Sequence, residues 1–317
     1  MDKSSSILKI ETNNMIRGVL MLMIMFSHSE QALLRFYGDS LFGNGALPFG
    51  RLGASMFLFL SGYGMFISLS KKQSLEWTYI ITKIYKIIVA WIYAFLITLV
   101  ICFAIDADYN IMDPILTLDL PNRGEWFIKV LLLCYILSFF VFKLFRKTNG
   151  LTKIFVIALG GVFYMVVAER MEVPMHYYST SLCYSFGMLF SYNRLKLSSI
   201  KPQLGALITA FCGLFCVIFI YVLHINGVRF YIPFVFCVFV SFLSRILTKK
   251  ENIIYKSLDY IGCNSLIYYW VHIGLNGFDV GNKYSNFVIL IIAATFLTFL
   301  YALIKSYLSR LKWGANV

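Results

Sequence analysis

The chain has 317 residues, of which 60% are hydrophobic, 18% are aromatic and only 14% are charged. Soluble domains are about 45–50% apolar and about 25% charged, so this composition excludes a soluble, disordered, fibrous or disulfide-framework protein. The formal net charge of +13 would suggest nucleic acid in a soluble protein, but basic residues also accumulate in the cytoplasmic loops of membrane proteins. The sequence therefore predicts an all-α integral membrane protein with no nucleic-acid partner.

Ten apolar segments could cross a bilayer core that needs about 20 residues per helix. The sixth is short and polar, and the ninth is interrupted by Gly, Asn and His, which is typical of a helix facing protein or a water-filled cavity. No repeat or soluble appendage breaks the pattern, so we expect residues 1–317 to form a single membrane domain. The segments are 15–34, 49–69, 79–105, 126–145, 153–168, 178–192, 204–224, 230–247, 259–278 and 287–308.

The distribution of basic residues predicts the orientation. If the N-terminus is cytoplasmic, ten spans place 21 of the 28 basic residues on the cytoplasmic side. Acidic residues concentrate instead in the loop between the third and fourth segments. By the positive-inside rule, we expect both termini in the cytoplasm. The first segment is not followed by a small-residue cleavage site, so we expect a retained helix and not a signal peptide. We expect a multi-pass protein of the plasma membrane.

The seven cysteines all lie in apolar segments and form no CxxC pair. We therefore expect them to be small apolar residues within the membrane, without disulfides or zinc. The sequence also contains no HExxH motif, no P-loop and no dinucleotide fingerprint, so we expect no metal and no nucleotide hydrolysis.

The first segment, MIRGVLMLMIMFSHSE, carries two ionisable residues at helical spacing. Arg17 and His28 are eleven residues apart, about three turns, which places them on one helix face about 16 Å apart along the axis. Arg17 has a simple structural explanation as a snorkelling anchor, and His28 has one as an interhelical hydrogen-bonding group. Ionisable groups within a membrane-spanning helix are costly, however, and therefore indicate a functional site.

Four further motifs accompany the Arg17…His28 pair, and their order on a ten-helix frame resembles the acyltransferase-3 family of integral membrane O-acyltransferases. That family modifies cell-surface polysaccharides and related glycans, and the resemblance covers nearly the whole chain. The motifs are MFLFLSGYGM with Ser61, Gly62 and Tyr63, the basic pair Lys83 and Lys86, WFIKVLLL from Trp126, and SLIYYWVHI ending beyond His272.

The resemblance implies transfer of an acyl group, usually acetyl, from a cytoplasmic acyl-coenzyme A to a glycan hydroxyl, with no bound cofactor. Acetyl-CoA or another acyl-CoA is strongly anionic, so Arg17, Lys83 and Lys86 are the predicted donor-binding residues. Two features depart from the family pattern. The third-helix pair is usually arginine, and lysine keeps the charge but loses bidentate geometry. Leu58 stands where the family often has Phe.

His28 is the predicted catalytic residue, either as the base that takes the proton of the acceptor hydroxyl or as a transient acyl carrier. Ser61 and Gly62 are explained first by close helix packing and alternatively by positioning of the donor thioester. A Trp at a helix boundary is typical of an interfacial belt. A Glu–Trp pair also suits sugar hydroxyls and a ring face. The residues predicted to line the site are Ser61, Gly62, Tyr63, Glu125, Trp126 and His272.

A transporter or flippase of lipid-linked glycans is the alternative function, since it also needs many spans and polar groups near the membrane midplane. Transporters are often built from matched halves, which this sequence does not show, and the single Arg–His face indicates one fixed site. A non-catalytic scaffold would not need an Arg–His pair on one helix face. The sequence therefore favours an enzyme whose partners are acyl-CoA, a glycan acceptor and the lipid bilayer.

Overall fold

The computed structural model describes residues 10–39, 47–72, 74–104, 126–175, 178–221, 223, 231–247, 252–276, 278–279 and 282–314. Within these ranges the regular structure is α-helical, with twelve α-helices and no strand. The helices are α1 (Ile10–Tyr37), α2 (Leu47–Ser70), α3 (Trp77–Ala104), α4 (Trp126–Leu144), α5 (Gly150–Arg170), α6 (Leu182–Tyr192), α7 (Arg194–Ser198), α8 (Pro202–Tyr221), α9 (Ile232–Ile246), α10 (Ile253–Cys263), α11 (Ser265–Leu275) and α12 (Lys283–Gly314).

Six of these helices are long and apolar enough to cross a membrane. A helix satisfies its backbone hydrogen bonds internally, which is why long apolar segments adopt this form in lipid. The all-helical membrane architecture is therefore as expected, whereas the count of ten spans and the cytoplasmic termini stay predictions. The six spans are Pro48–Ser70, Trp77–Ala104, Trp126–Leu144, Gly150–Arg170, Pro202–Ile220 and Val288–Tyr307.

The six spans differ in how deeply they lie in the bundle. Two thirds of the apolar window of α2 (67%) is buried inside the protein, but only 17% of the corresponding windows of α5, α8 and α12. The large apolar side chains of α5, α8 and α12 are therefore available to lipid, while α2 is central. Helix α1 packs against α2 and also against α9, α10, α11 and α12, so it too lies in the interior of the bundle.

The segment expected as the ninth span, residues 259–278, is not one helix. The structure divides it into α10 and α11 at Asn264, and α10 begins before the expected boundary. The Asn264 side chain donates a hydrogen bond to the carbonyl oxygen of Tyr260 (2.9 Å), a local contact that competes with the helical backbone pattern. The sixth segment is also shorter than expected, because α6 covers only Leu182–Tyr192.

Glycines bring α1 and α10 into backbone contact. A Cβ atom built on Gly18 would lie 2.1 Å from the carbonyl oxygen of Leu258, and one on Gly262 would lie 1.7 Å from that of Asn14. Neither position therefore accommodates a side chain. This crossing lies directly beside Arg17 and holds the first turns of α1 in place.

A second backbone contact joins α2 to α6. A Cβ atom on Gly62 would lie 2.0 Å from the carbonyl oxygen of Tyr184, and one on Gly187 would lie 2.0 Å from that of Phe59. Small residues at helix crossings are a general device of membrane proteins, because close backbones gain van der Waals contact without a hydrophobic driving force. Gly62 therefore serves helix packing, one of the two interpretations that the sequence left open.

Candidate active site

The helices α1, α2, α3, α4 and α11 enclose a cavity of about 300 Å³ at the Arg17 end of α1. Arg17, Lys83 and Lys86, which the sequence predicts as donor-binding residues, all line this cavity. Lys83 and Lys86 are three residues apart on α3, so both lie on the face that α3 turns toward the cavity. We call this space the cationic cavity.

Among the described residues, none that lines the cationic cavity is acidic. The Nε atom of Arg17 is buried and has no hydrogen-bond partner within the described part of the chain. The ammonium group of Lys83 lies between two aromatic rings, 5.8 Å from the centroid of Tyr79 and 5.9 Å from that of Tyr135. Leaving a buried charged donor unsatisfied is costly, so the arrangement is suited to an anionic ligand that completes these hydrogen bonds.

Of the three neighbouring residues predicted on α2, only Ser61 lines the cationic cavity. It is partly buried, and it shares the cavity wall with Tyr135. Gly62 lies against α6, and the buried ring of Tyr63 packs with Phe190 at 6.5 Å between centroids. The three differ because successive residues of a helix point in different directions.

Trp126 begins α4 and is partly buried, with its ring 6.2 Å from that of Phe127. Phe127 lines the cationic cavity but Trp126 does not. Glu125, the other half of the predicted Glu–Trp pair, lies outside the described residues. The structure therefore places Trp126 next to the cavity wall without bringing it to the basic side chains.

His28 and His272 form a pair, although 244 residues separate them in the chain. His28 Nδ1 and His272 Nε2 are 2.9 Å apart. The ring centroids are 5.1 Å apart and the ring planes differ by 18°, so the two imidazoles meet edge to edge in nearly one plane. His272 is sealed, with 2% of its surface exposed, whereas His28 is only partly buried. His28 thus keeps part of its surface exposed. We call these residues the histidine pair.

Tyr269 connects the cationic cavity to the histidine pair. Its side chain lines the cavity, and its ring packs edge-on against the His272 ring with centroids 5.6 Å apart. Along α1, Arg17 and His28 are about 16 Å apart. Tyr269 therefore belongs both to the wall of the cationic cavity and to the surroundings of the histidine pair.

The far end of α1 is attached to the segment that follows α11. Arg35 donates a hydrogen bond to the backbone oxygen of Asn276 (2.5 Å), and the Tyr37 hydroxyl donates one to the carboxylate of Asp279. These contacts hold α1 against α11 beyond the histidine pair. Sequence reasoning missed them, because nothing in the local pattern of either segment announces a partner about 240 residues away.

Two further cavities adjoin the cationic cavity in series. One, of about 490 Å³, shares Lys83 and Lys86 with it, and also shares Lys72 and Ser74 with a larger cavity of about 970 Å³. The described residues that line the larger cavity include no acidic side chain. In the sequence, the basic residues of the larger cavity are explained by the positive-inside rule alone. They are Lys72, Lys143, Arg146, Lys153 and Arg194.

The fold and the site define a multi-pass membrane protein in which a cation-lined cavity leads toward a pair of histidines. Within the described residues, no group of three or more His, Cys, Asp or Glu is placed to hold a metal ion. The family model described as an acyltransferase domain matches residues 13–307, nearly the whole chain. The protein therefore belongs to the acyltransferase-3 family, as its motifs predict, and is a membrane acyltransferase. No curated protein and no solved structure matches it.

Proposed function

We propose that this protein is an O-acetyltransferase that moves an acetyl group from cytoplasmic acetyl-CoA to a hydroxyl of a cell-surface polysaccharide or glycan. The observation that carries the proposal is the cationic cavity, which ends one aromatic ring away from the histidine pair. Family membership supplies the acyl-transfer chemistry. The basic residues that line the cavity are suited to binding an anionic, soluble donor.

The donor is assigned by charge. Arg17, Lys83 and Lys86 meet at a cavity whose described lining residues include no acidic side chain. The cavity that adjoins it includes one acidic residue, Glu76, and the larger cavity adds further basic side chains. Acyl-CoA carries its phosphates at one end and its thioester at the other, joined by a long, flexible arm. Phosphates bound along the larger cavities and at Arg17 would leave the thioester free to reach toward His28. Charge-assisted hydrogen bonds to phosphate are among the strongest that side chains form.

His28 is proposed as the general base. The partly buried imidazole lies beyond the cationic cavity on the Arg17 face of α1, where the thioester end of the donor would arrive. An uncharged imidazole can take the proton of an attacking hydroxyl, and a positioned base contributes typically 10²–10⁴-fold to a rate. The acceptor then approaches His28 from the opposite membrane face. This requires the orientation favoured by the basic residues, with ten spans, both termini in the cytoplasm and a location in the plasma membrane.

The proposal is tested by mass spectrometry of surface glycan from cells that lack the gene and from cells complemented with it. Complementation with the wild-type gene should add a 42-unit increment per acetylated sugar, from the mass of the acetyl group that replaces a hydrogen. The His28→Gln protein keeps hydrogen-bonding capacity but cannot act as a base, so it should be present in the membrane and add no increment. Identical spectra from deleted and wild-type cells would refute the proposal. Transbilayer movement of a glycan lipid without acylation would favour the transporter.

A further inference from the structure

Each ring nitrogen of His272 has a hydrogen-bond partner. Its Nδ1 lies 2.9 Å from the backbone carbonyl oxygen of Tyr268, and its Nε2 lies 2.9 Å from His28 Nδ1. A carbonyl oxygen only accepts hydrogen bonds, so His272 Nδ1 is the donor in the first contact. The His272 ring is sealed in the protein, where a charged form without a counter-charge would be costly, and a neutral imidazole has one N–H. His272 Nε2 must therefore be an acceptor.

The acceptor character of His272 determines the state of His28. Because His272 Nε2 has no hydrogen to give, the contact at 2.9 Å requires His28 Nδ1 to carry one. The lone pair of neutral His28 then lies on Nε2, and no hydrogen bond to this nitrogen is found among the described residues. We infer that His272 is a positioning residue which fixes His28 in its Nδ1–H tautomer, so that Nε2 is the basic atom. This inference rests on the proposed function of His28 as general base.

The reaction step follows from this assignment. His28 Nε2 takes the proton of the acceptor hydroxyl as the hydroxyl oxygen bonds to the thioester carbonyl carbon. The carbon–sulfur bond then breaks, the sulfur leaves with the bonding electrons, and it receives the proton from His28 Nε2. The products are the glycan ester and free coenzyme A. Throughout, the Nδ1–H of His28 keeps donating to His272 Nε2, which holds the ring in place and stabilises the transient imidazolium.

A histidine in this position suits a site inside a membrane protein. A carboxylate would orient His28 equally well, but it would add a charge at a depth where charges are costly. A neutral imidazole fixed by a backbone carbonyl sets the tautomer without that cost. Because the two histidines belong to α1 and α11, their separation depends on the packing of these helices, to which the hydrogen bond from Arg35 to Asn276 contributes.

Two substitutions of His272 separate positioning from packing. His272→Gln places an amide oxygen near the former Nε2 position, so it can still accept from His28 Nδ1–H. His272→Leu fills a similar volume but accepts no hydrogen bond. We expect the Leu variant to lose about 10²-fold in kcat with unchanged affinity for coenzyme A, and the Gln variant to recover most of that loss. A folded Gln variant with a kcat no higher than that of the folded Leu variant would overturn the inference.

Nitrogen NMR of the ¹⁵N-histidine-labelled protein reads the tautomer without requiring activity. The chain has only four histidines, and the spectrum of His28→Gln identifies the His28 signals by their loss. In the wild type and in His272→Gln, His28 should be protonated at Nδ1, whereas in His272→Leu the Nε2–H form should appear. An unchanged His28 tautomer in the Leu variant overturns the inference. Failure of the wild type to acylate any glycan would instead refute the proposed function and leave the tautomer measurement intact.

Discussion

Gly62 lies where α2 crosses α6, and replacing it with alanine tests whether this crossing supports the site. The added methyl group would lie 2.0 Å from the carbonyl oxygen of Tyr184, whereas ordinary contacts of a Cβ begin at 3.4 Å. The two backbones would therefore have to separate by about 1.4 Å, the difference between these distances. A carbonyl group on a buried helix cannot rotate away as a flexible side chain can. The reciprocal contact of Gly187 with Phe59 leaves little room for adjustment in the other direction.

Overpacking of a closely packed interior typically costs about 1–3 kcal/mol, and we expect Gly62→Ala to fall at the upper end of this range. Gly64→Ala is the matched control, because it lies on the same helix and a Cβ built there meets nothing within 4 Å. Alanine is also the better helix former. Thermal unfolding of the purified protein in lipid nanodiscs, followed by tryptophan fluorescence, should show a Tm lower by several degrees for Gly62→Ala only. Equal Tm values for the two variants would refute this reasoning.

Three further predictions concern the donor and the orientation. Arg17→Gln should weaken coenzyme A binding about ten- to hundred-fold by calorimetry, because one charge-assisted contact is lost; unchanged affinity would exclude the cationic cavity as the donor site. Lys143→Gln should weaken coenzyme A binding about ten-fold. Lys147 is exposed and does not line the large cavity, so Lys147→Gln should leave this binding unchanged. Reporter fusions after Lys72 should report the cytoplasm and fusions at Asp113 the exterior, and the reverse pattern would overturn the proposed orientation.

The sequence predicted some features of the donor-binding residues and of the histidines, but not others. Arg17 and His28 could be placed on one face of a helix, because eleven residues span about three helical turns. That Lys83 and Lys86 meet Arg17 at one cavity was expected only through the family resemblance, since their basic character is equally explained by the positive-inside rule. The role of His272 was not predictable, because a hydrogen bond between residues 244 positions apart leaves no local signal.

Helix boundaries show the same division. The bounds expected for the long apolar spans were close to the observed ones, because twenty consecutive apolar residues have few alternatives to a helix in lipid. The segment 259–278 was wrongly expected as one helix, since the break at Asn264 arises from a side-chain contact to the backbone of Tyr260 and from the packing that holds α11 against α1 and α3. Gly262 and Asn264 indicated an irregularity in this apolar segment, but not whether it was a polar lining or a break.

The sequence by itself determined the class of protein, its helical content, its family and the residue types of the site, because composition, hydropathy and helical period act within short stretches of chain. Only the tertiary structure decided which of these residues meet. It brought Arg17 to the two lysines of α3, placed Tyr269 between the cationic cavity and His272, and directed Gly62 into a helix crossing. The physical reason is that a change of about an ångström in the distance between two helices opens or closes a cavity and makes or breaks a hydrogen bond. Helix packing sets those distances.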